Sequence, residues 1–269
     1  MIMVIPKLGL GTFGRTGEEG TAAILNALDI GYRHIDTAQS YGTEAGVGDA
    51  VRRSGIPRSD VFITTKVADT RLAKAQFMDS IERSLETIGL GALDLLLIHW
   101  PSKNDAVPFE DYMLALAEAR QRGYTRLIGV SNFPIALLER TESLLGPGAI
   151  ATDQVEIHPY MQAPKLVAYA RSKGLPLTAY QPLCRGAVAS DPVLQRIGDK
   201  HGAAASAVAL AFLMALGHIV IPASATEVNL RANWRALNIR LDDGDMQAIH
   251  ALHRGHRHIN PDKSPAWDD

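Results

Sequence analysis

Three apolar runs in the first hundred residues each end in side chains that together could protonate a carbonyl oxygen. His34-Ile-Asp-Thr-Ala-Gln-Ser-Tyr41 places an acid and a tyrosine after the first run, Thr64-Thr-Lys66 a lysine after the second, and Ile98-His-Trp-Pro101 a histidine after the third. Asp36, Lys66 and His99 follow apolar residues, so partial desolvation is expected, and an unpaired charge there would be costly. Asp36 and Lys66 can pair. An ammonium beside a phenol stabilises the phenolate and draws its pKa down from about 10, while a carboxylate keeps the ammonium charged and in place. Tyr41 would then donate a proton as negative charge builds on the oxygen, with a neutral His99 orienting the carbonyl. Taken singly, each has a plainer role: Asp36 as a cap, Lys66 in an ion pair, His99 and Tyr41 as hydrogen-bonded packing residues. Their occurrence together at successive run ends is what points to one site.

The elements that must position these residues follow from the spacing of apolar runs. Candidate strands lie at 7–10, 32–35, 61–64, 93–98, 125–129, 152–157, 177–179 and 219–221. The segments between them carry apolar residues at helical spacing, as in Ala22, Leu25, Ala27, Leu28 and in Ile81, Leu85, Ile88. Strands alternating with helices must be parallel, and continuous apolar runs such as Leu93-Asp-Leu-Leu-Leu97 suit strands covered on both faces. Eight units predict an α/β fold, a (β/α)8 TIM barrel. The rival doubly wound sheet is opposed by the absence of G-x-G-x-x-G after the first strand. No linker divides the chain, so residues 1–269 are read as a single domain, with an extra helix at 242–252 and a polar tail from 254 that could cover one barrel end. In such a barrel, chemistry gathers at the C-terminal strand ends, where polar residues concentrate in this sequence.

Composition narrows the partners. A net charge of −2 without long runs of one sign argues against nucleic acid and favours a small-molecule substrate. Cys184 is the lone cysteine, which excludes an intrachain disulfide and a zinc site built on thiolates, and is read as packing without an activating base. With no secretory pattern at the start and no convincing membrane span, a cytoplasmic location is expected. The run His250, His253, His256, His258 reads as a solvated, tag-like tract, so no metal site is expected.

Several phrases resemble the aldo-keto reductase family: Gly9-Leu-Gly-Thr-Phe13, Gly31-Tyr-Arg-His-Ile-Asp-Thr-Ala-Gln-Ser-Tyr41, Ile63-Thr-Thr-Lys66, Asp94-Leu-Leu-Leu-Ile-His-Trp-Pro101, Ile128-Gly-Val-Ser-Asn-Phe133 and Gln154-Val-Glu-Ile-His-Pro159. The resemblance runs almost end to end and implies NAD(P)H-dependent reduction of aldehydes and ketones, with the family's tetrad on Asp36, Tyr41, Lys66 and His99. Within the family, the short loops and the tail ending Pro265-Ala-Trp-Asp-Asp269 look most like the bacterial 2,5-diketo-D-gluconate reductases of type B, which implies diketo sugar acids or methylglyoxal-like dicarbonyls as substrates. A monomer is the default. Two other classes are open to this fold: a nicotinamide-nucleotide sensor, opposed by the intact tetrad, and a metal-dependent hydrolase, opposed by the lack of paired histidines at a strand end.

By the same resemblance, Ser131, Asn132 and Gln154 would hydrogen-bond the nicotinamide carboxamide and Tyr180 would stack on its ring, with Gln181, Leu183, Ser224, Thr226, Asn229 and Asn233 along the rest of the cofactor. Phe13, Trp100 and Ala68 would line the substrate pocket, wider at Ala68 where relatives often carry an aromatic. Arg231 and the N-terminus of the helix after the eighth strand could add to phosphate binding. The sequence departs from the family at Asp153, usually Asn, and at Gln181, usually Ser. It also has Ala223 and Asn229 where many relatives have a lysine and an arginine that grip the 2′-phosphate of NADPH. NADPH is the expected cofactor, and those two absences leave room for NADH.

Overall fold

A computed structural model describes residues 4–268 and turns the alternation into a closed ring. The first half comprises β1 (Leu10–Gly11), α1 (Gly17–Ile30), β2 (His34–Asp36), α2 (Glu44–Ser54), β3 (Phe62–Val67), α3 (Lys74–Ile88), β4 (Leu93–Ile98) and α4 (Phe109–Gln121). The second comprises β5 (Thr125–Ser131), α5 (Ile135–Leu145), β6 (Asp153–Glu156), α6 (Pro164–Lys173), β7 (Leu177–Tyr180), α7 (Pro192–His201), α8 (Ala205–Ala215), β8 (Ile219–Val220), α9 (Glu227–Trp234) and α10 (Asp243–His250). The strands pair in chain order, all parallel. Leu8 bridges Val220, and the amides of Gly9 and Gly11 donate to Val220 O and Pro222 O at 2.9 and 3.1 Å, joining the last strand to the first. Gly11 is required at this seam: a Cβ there would meet Ile221 O at 2.8 Å. The chain is a (β/α)8 barrel.

The period of two along the strands sorts their side chains into two environments. Leu96 and Ile98 of β4 join the large apolar cluster shared with the surrounding helices, whereas Leu95 and Leu97 pack with Ile5, Phe62 and Ile219 in a separate small cluster. Continuing the second face upward leads from Leu95 and Leu97 to His99, from Phe62 and Thr64 to Lys66, and from His34 to Asp36. His34 fits this layering, its ring edge-on to Phe62 and its Nε2 3.0 Å from Thr64 Oγ1. The barrel is thus apolar low down and polar at the top, and the polar layer is where the catalytic candidates stand.

Several strand boundaries differ from the sequence expectation, two of them at the site. β2 ends on Asp36 and β3 on Val67, further along than 35 and 64, because hydrogen-bonded pairing continues through the polar inward-facing residues after the apolar pattern has stopped. The small-residue stretch after residue 203 forms α8, buried along most of its length against β8, α7 and α9. The helix expected at 242–252 is α10, opened by a reciprocal pair of side-chain caps between Asp242 and Asp245. No helix among the described residues is long and apolar enough to cross a membrane.

Two buried histidines make stability depend on pH. Burial pushes His34 and His218 down to about 4. Between that value and the ordinary value of about 6.5, the unfolded chain binds protons that the folded chain does not. Their contribution is therefore complete above about pH 6.5 and is lost as pH falls toward 4, on the order of 3 kcal/mol for each. The melting temperature should fall over this interval, and His218→Gln should make the fall shallower; an unchanged slope would remove His218 from the account.

Candidate active site

The polar layer is built around one fully buried cation. Lys66 Nζ donates to Asp36 Oδ1 at 2.5 Å and to Thr37 O at 2.8 Å, and both side chains are almost entirely shielded from solvent. The second carboxylate oxygen of Asp36 accepts from Gln154 Nε2 at 2.8 Å, a contact that spans the barrel from β6 to β2. Desolvation works against the charge on Lys66, yet Asp36 and Tyr41 outweigh it and hold the lysine pKa above its ordinary value.

Tyr41 is delivered by a short turn, Gln39–Tyr41, that leaves the end of β2. Gln39 ties the turn to its surroundings, accepting from the Ala68 amide at 2.9 Å and donating to Ser80 O and Oγ, both at 3.1 Å. Gly42 ends the turn at φ 68°, a left-handed conformation that glycine adopts without strain. The Tyr41 ring stands edge-on to Phe13 and to His99, 5.1 and 5.5 Å away, with Lys66 Nζ 5.0 Å from its centroid. Its hydroxyl is 3.5 Å from His99 Nε2, and Ser40 Oγ is 3.4 Å from the other ring nitrogen.

The electrostatics differ from the sequence expectation at Tyr41. Burial raises the phenol above its ordinary pKa, and the opposing pull of Lys66 is smaller, so the net shift is upward. Burial, with Lys66 and Lys263 nearby, holds His99 well below its ordinary value. At neutral pH the pair is therefore a protonated phenol facing a neutral imidazole.

These groups open onto a cleft of about 720 Å³ at the C-terminal ends of the strands. Phe13 and Trp100 line it, as do Ser131, Asn132, Gln154, Tyr180, Gln181 and Leu183. So do Ser224, Asn229 and Asn233 beyond β8. Asn132, at φ 64°, donates to His99 O at 2.9 Å and accepts from Tyr180 OH at 2.7 Å, while Ser131 Oγ donates to Gln154 O at 2.7 Å. Lys66 stands behind the cleft wall rather than in it.

Three of the expected residues make other contacts in this structure. Ala68 is buried, its amide donating to Gln39 Oε1, and it is not among the residues that line the cleft. Thr226 also lies outside, its hydroxyl engaged in capping α9 by accepting from Asn229 N. Arg231 pairs with Glu227 one turn away at 2.8 Å, both side chains exposed. Asp153, where the family usually has Asn, is wholly buried. Complete burial raises this carboxyl well above its ordinary range, which favours the protonated form, and its Oδ1 accepts from the Phe133 amide.

Sequence reasoning missed part of the wall. Arg15, from the loop after β1, and Ile259 and Pro261, from the tail, line the cleft. The amides of Arg254 and His256 donate to Tyr160 O, those of His258 and Ile259 to the Glu156 carboxylate, and Lys263 pairs with Asp69 at 2.7 Å. Trp267 stands edge-on to Trp100, and Asp268 accepts from the Ile135 amide at the start of α5. Of the histidines at 250–258, His250, His253 and His256 are exposed as expected, with His250 Nδ1 2.9 Å from Gln162 Oε1 and His253 Nδ1 accepting from Gln162 N, whereas His258 is partly buried, its Nε2 2.7 Å from Cys184 Sγ. Cys184 therefore has a base beside it, contrary to expectation, although burial raises its thiol to about 11. Nothing local in the sequence announces these contacts, because they join segments up to 194 residues apart.

A family model described as the aldo/keto reductase family matches residues 7–254. The chain belongs to the aldo-keto reductase family. It is 43% identical over 267 residues, covering 99% of this chain and 100% of the relative, to "Methylglyoxal reductase DkgB" of Escherichia coli O157:H7. It is 40% identical to the protein of the same name from Yersinia pestis, with the same coverage. Among solved structures, one assigned provisionally as a 2,5-diketo-D-gluconic acid reductase B superposes with a TM-score of 0.92 at 41% identity, covering 98% of this chain and 94% of that one. The aldose reductase of Schistosoma japonicum superposes at 0.93 with 30% identity, covering 99% and 97%. As an aldo-keto reductase the protein is an oxidoreductase acting on carbonyls with a nicotinamide cofactor.

In this aldo-keto reductase, Lys66→Met would leave the Asp36 carboxylate buried without its cation, at an expected cost of about 3–5 kcal/mol in folding stability. Replacing both partners, Asp36→Leu with Lys66→Met, should recover much of that loss in denaturant unfolding. Equal destabilisation in the single and double variants would mean that the pair itself is not what is being lost.

Proposed function

We propose that this reductase converts small dicarbonyl compounds to hydroxy-carbonyl products, with Tyr41 as proton donor and NADPH as reductant. The observation that carries this reading is the approach of a protonated Tyr41 hydroxyl and a neutral His99 to 3.5 Å at the mouth of one cleft, above the Lys66–Asp36 pair. When bound, the reduced nicotinamide supplies hydride to the carbonyl carbon. Tyr41 gives its proton to the carbonyl oxygen, and Lys66 steadies the charge left on the phenol. Asp36 keeps Lys66 charged, and His99 orients the substrate oxygen toward Tyr41.

The residues present fit a dinucleotide. Ser131, Asn132 and Gln154 offer amide and hydroxyl groups for the carboxamide, and the Tyr180 ring offers a stacking face. Gln181 and Leu183 would flank the middle of the cofactor. Beyond β8, Ser224 Oγ is buried with no hydrogen-bond partner, an orphan that a phosphate oxygen or a ribose hydroxyl would satisfy. Asn229 and Asn233 stand beside it, and they support NADPH through dipoles rather than fixed cations. Phe13 and Trp100 would hold the substrate. A dicarbonyl substrate is supported by the names of the similar proteins, since methylglyoxal and 2,5-diketo-D-gluconate both carry two carbonyl groups.

Reduction of methylglyoxal and of 2,5-diketo-D-gluconate, followed through nicotinamide absorbance, should be detectable with wild type, and Tyr41→Phe should lower kcat by about 10²–10⁴-fold while retaining cofactor binding. Full activity in that variant would remove Tyr41 as donor. Because burial raises the Tyr41 pKa and leaves His99 neutral, kcat/KM should stay level from about pH 6 to about pH 9 and fall only as the phenol loses its proton. A decline centred near neutrality would contradict this. NADPH should be preferred over NADH, and Ala223→Lys should tighten NADPH by about tenfold through a charge-assisted contact. A strong NADH preference in wild type would overturn the cofactor assignment.

A further inference from the structure

Beside the cleft, at the junction of the β6 end, the loop after β7 and the tail, three metal-ligating side chains converge. His158, Cys184 and His258 each bring a ligand atom within 4.8 Å of the other two. His158 is wholly buried, Cys184 nearly so, and His258 partly exposed on the tail. None of the three takes part in the reduction described above.

The hydrogen bonding of His158 prepares it as a ligand. Its Nε2 lies 3.0 Å from Glu156 Oε1, and a carboxylate can only accept, so Nε2 carries the ring proton. Glu156 is held in this role by the amides of His258 and Ile259, which donate to its two oxygens at 2.6 and 2.7 Å. Nδ1 of His158 is left as a bare lone pair, fully buried, with no hydrogen-bond partner. An unsatisfied buried acceptor is costly, and a carboxylate behind an imidazole is the arrangement that fixes histidine ligands at metal centres.

We propose that His158, Cys184 and His258 form a three-ligand Zn²⁺ site that clasps the tail to the barrel rim, with Glu156 as its positioning residue. Two imidazoles and one thiolate suit an ion of intermediate softness, and three protein ligands leave the fourth position to water. Bond lengths of about 2.3 Å to sulfur and 2.0–2.1 Å to nitrogen put tetrahedral ligand atoms roughly 3.5 Å apart. The present set brackets that spacing, from 2.7 Å between Cys184 and His258 up to 4.8 Å. Coordination forms a Zn–S bond and releases the Cys184 thiol proton to solvent. His258 is followed by Ile259 and Pro261, both on the cleft wall, so the ion would fasten that wall as well as the tail. The site is independent of the assignment of Tyr41 and of the substrate.

The test uses the purified full chain, stripped with a chelator and titrated with Co²⁺ as a spectroscopic probe, then with Zn²⁺. Expected is a sulfur-to-cobalt charge-transfer band that saturates at one ion per chain and disappears as Zn²⁺ displaces Co²⁺. Cys184→Ser should abolish the band, and His258→Ala, on the tail, should weaken Zn²⁺ binding by at least tenfold in competition with a chromophoric chelator. Zn²⁺ should also slow tryptic cleavage after Arg254 and Arg257 in wild type but not in His258→Ala. Melting temperatures in metal-free buffer establish that both variants fold. Absence of the band in wild type would overturn the proposal. So would Zn²⁺ affinity unchanged in either variant, which would place binding at the other histidines.

Discussion

A lysine ammonium with no access to water must be given a counter-charge and hydrogen bonds by the protein, and the upper layer of this barrel is organised to give them. Lys66 on β3 draws Asp36 on β2 against it, and Asp36 in turn holds Gln154 across the barrel on β6. The carbonyl of Thr37 turns toward the same ammonium, which fixes the chain where it leaves β2 for the turn that carries Tyr41. A group of hydroxyls finishes the layer: Thr12, Thr37 and Thr43 are linked at 2.7–2.9 Å, and Thr12 donates to Asp36 O. The apolar plug beneath excludes water from below, so the charge of Lys66 acts toward the cleft with little screening.

The same burial that strengthens the electrostatics sets the protonation states. Tyr41 is subject to two opposed effects, and loss of hydration outweighs the nearby cation. The phenol therefore rests in its protonated form, ready to donate, while Lys66 exerts its effect as negative charge develops on the oxygen. Neutrality recurs at His99, for the same reason. One rim thus presents a protonated phenol and a histidine behaving as a neutral donor or acceptor, with a single strong positive centre behind them.

Most of this was legible in the sequence because the relevant signals are periodic or local. Eight apolar runs spaced by helical segments specify the barrel, and Asp36, Tyr41, Lys66 and His99 stand at the ends of those runs. The strand ends were less legible, since inward-facing polar residues such as Lys66 continue the ladder without continuing the apolar pattern. The direction of the Tyr41 shift was also hidden, because residue types specify which charges are near but not how deeply a ring is buried. Ala68 and Thr226 occupy family positions, yet the first is packed against the Gln39 turn and the second caps a helix. The pairing of Cys184 with His258 depends on how the tail returns across the rim, which no local pattern encodes.

That returning tail has a consequence for how the enzyme can change. Its anchors are two backbone pairs, one ion pair, an aromatic contact and a helix cap, spread over loops following several strands. Most bind the backbone or a single side chain, so the residues between them can vary without disturbing the strip's path. The barrel strands carry the reactivity, whereas part of the cleft wall is written on a detachable margin of the chain. Selectivity and chemistry are thus housed in segments that can diverge at different rates.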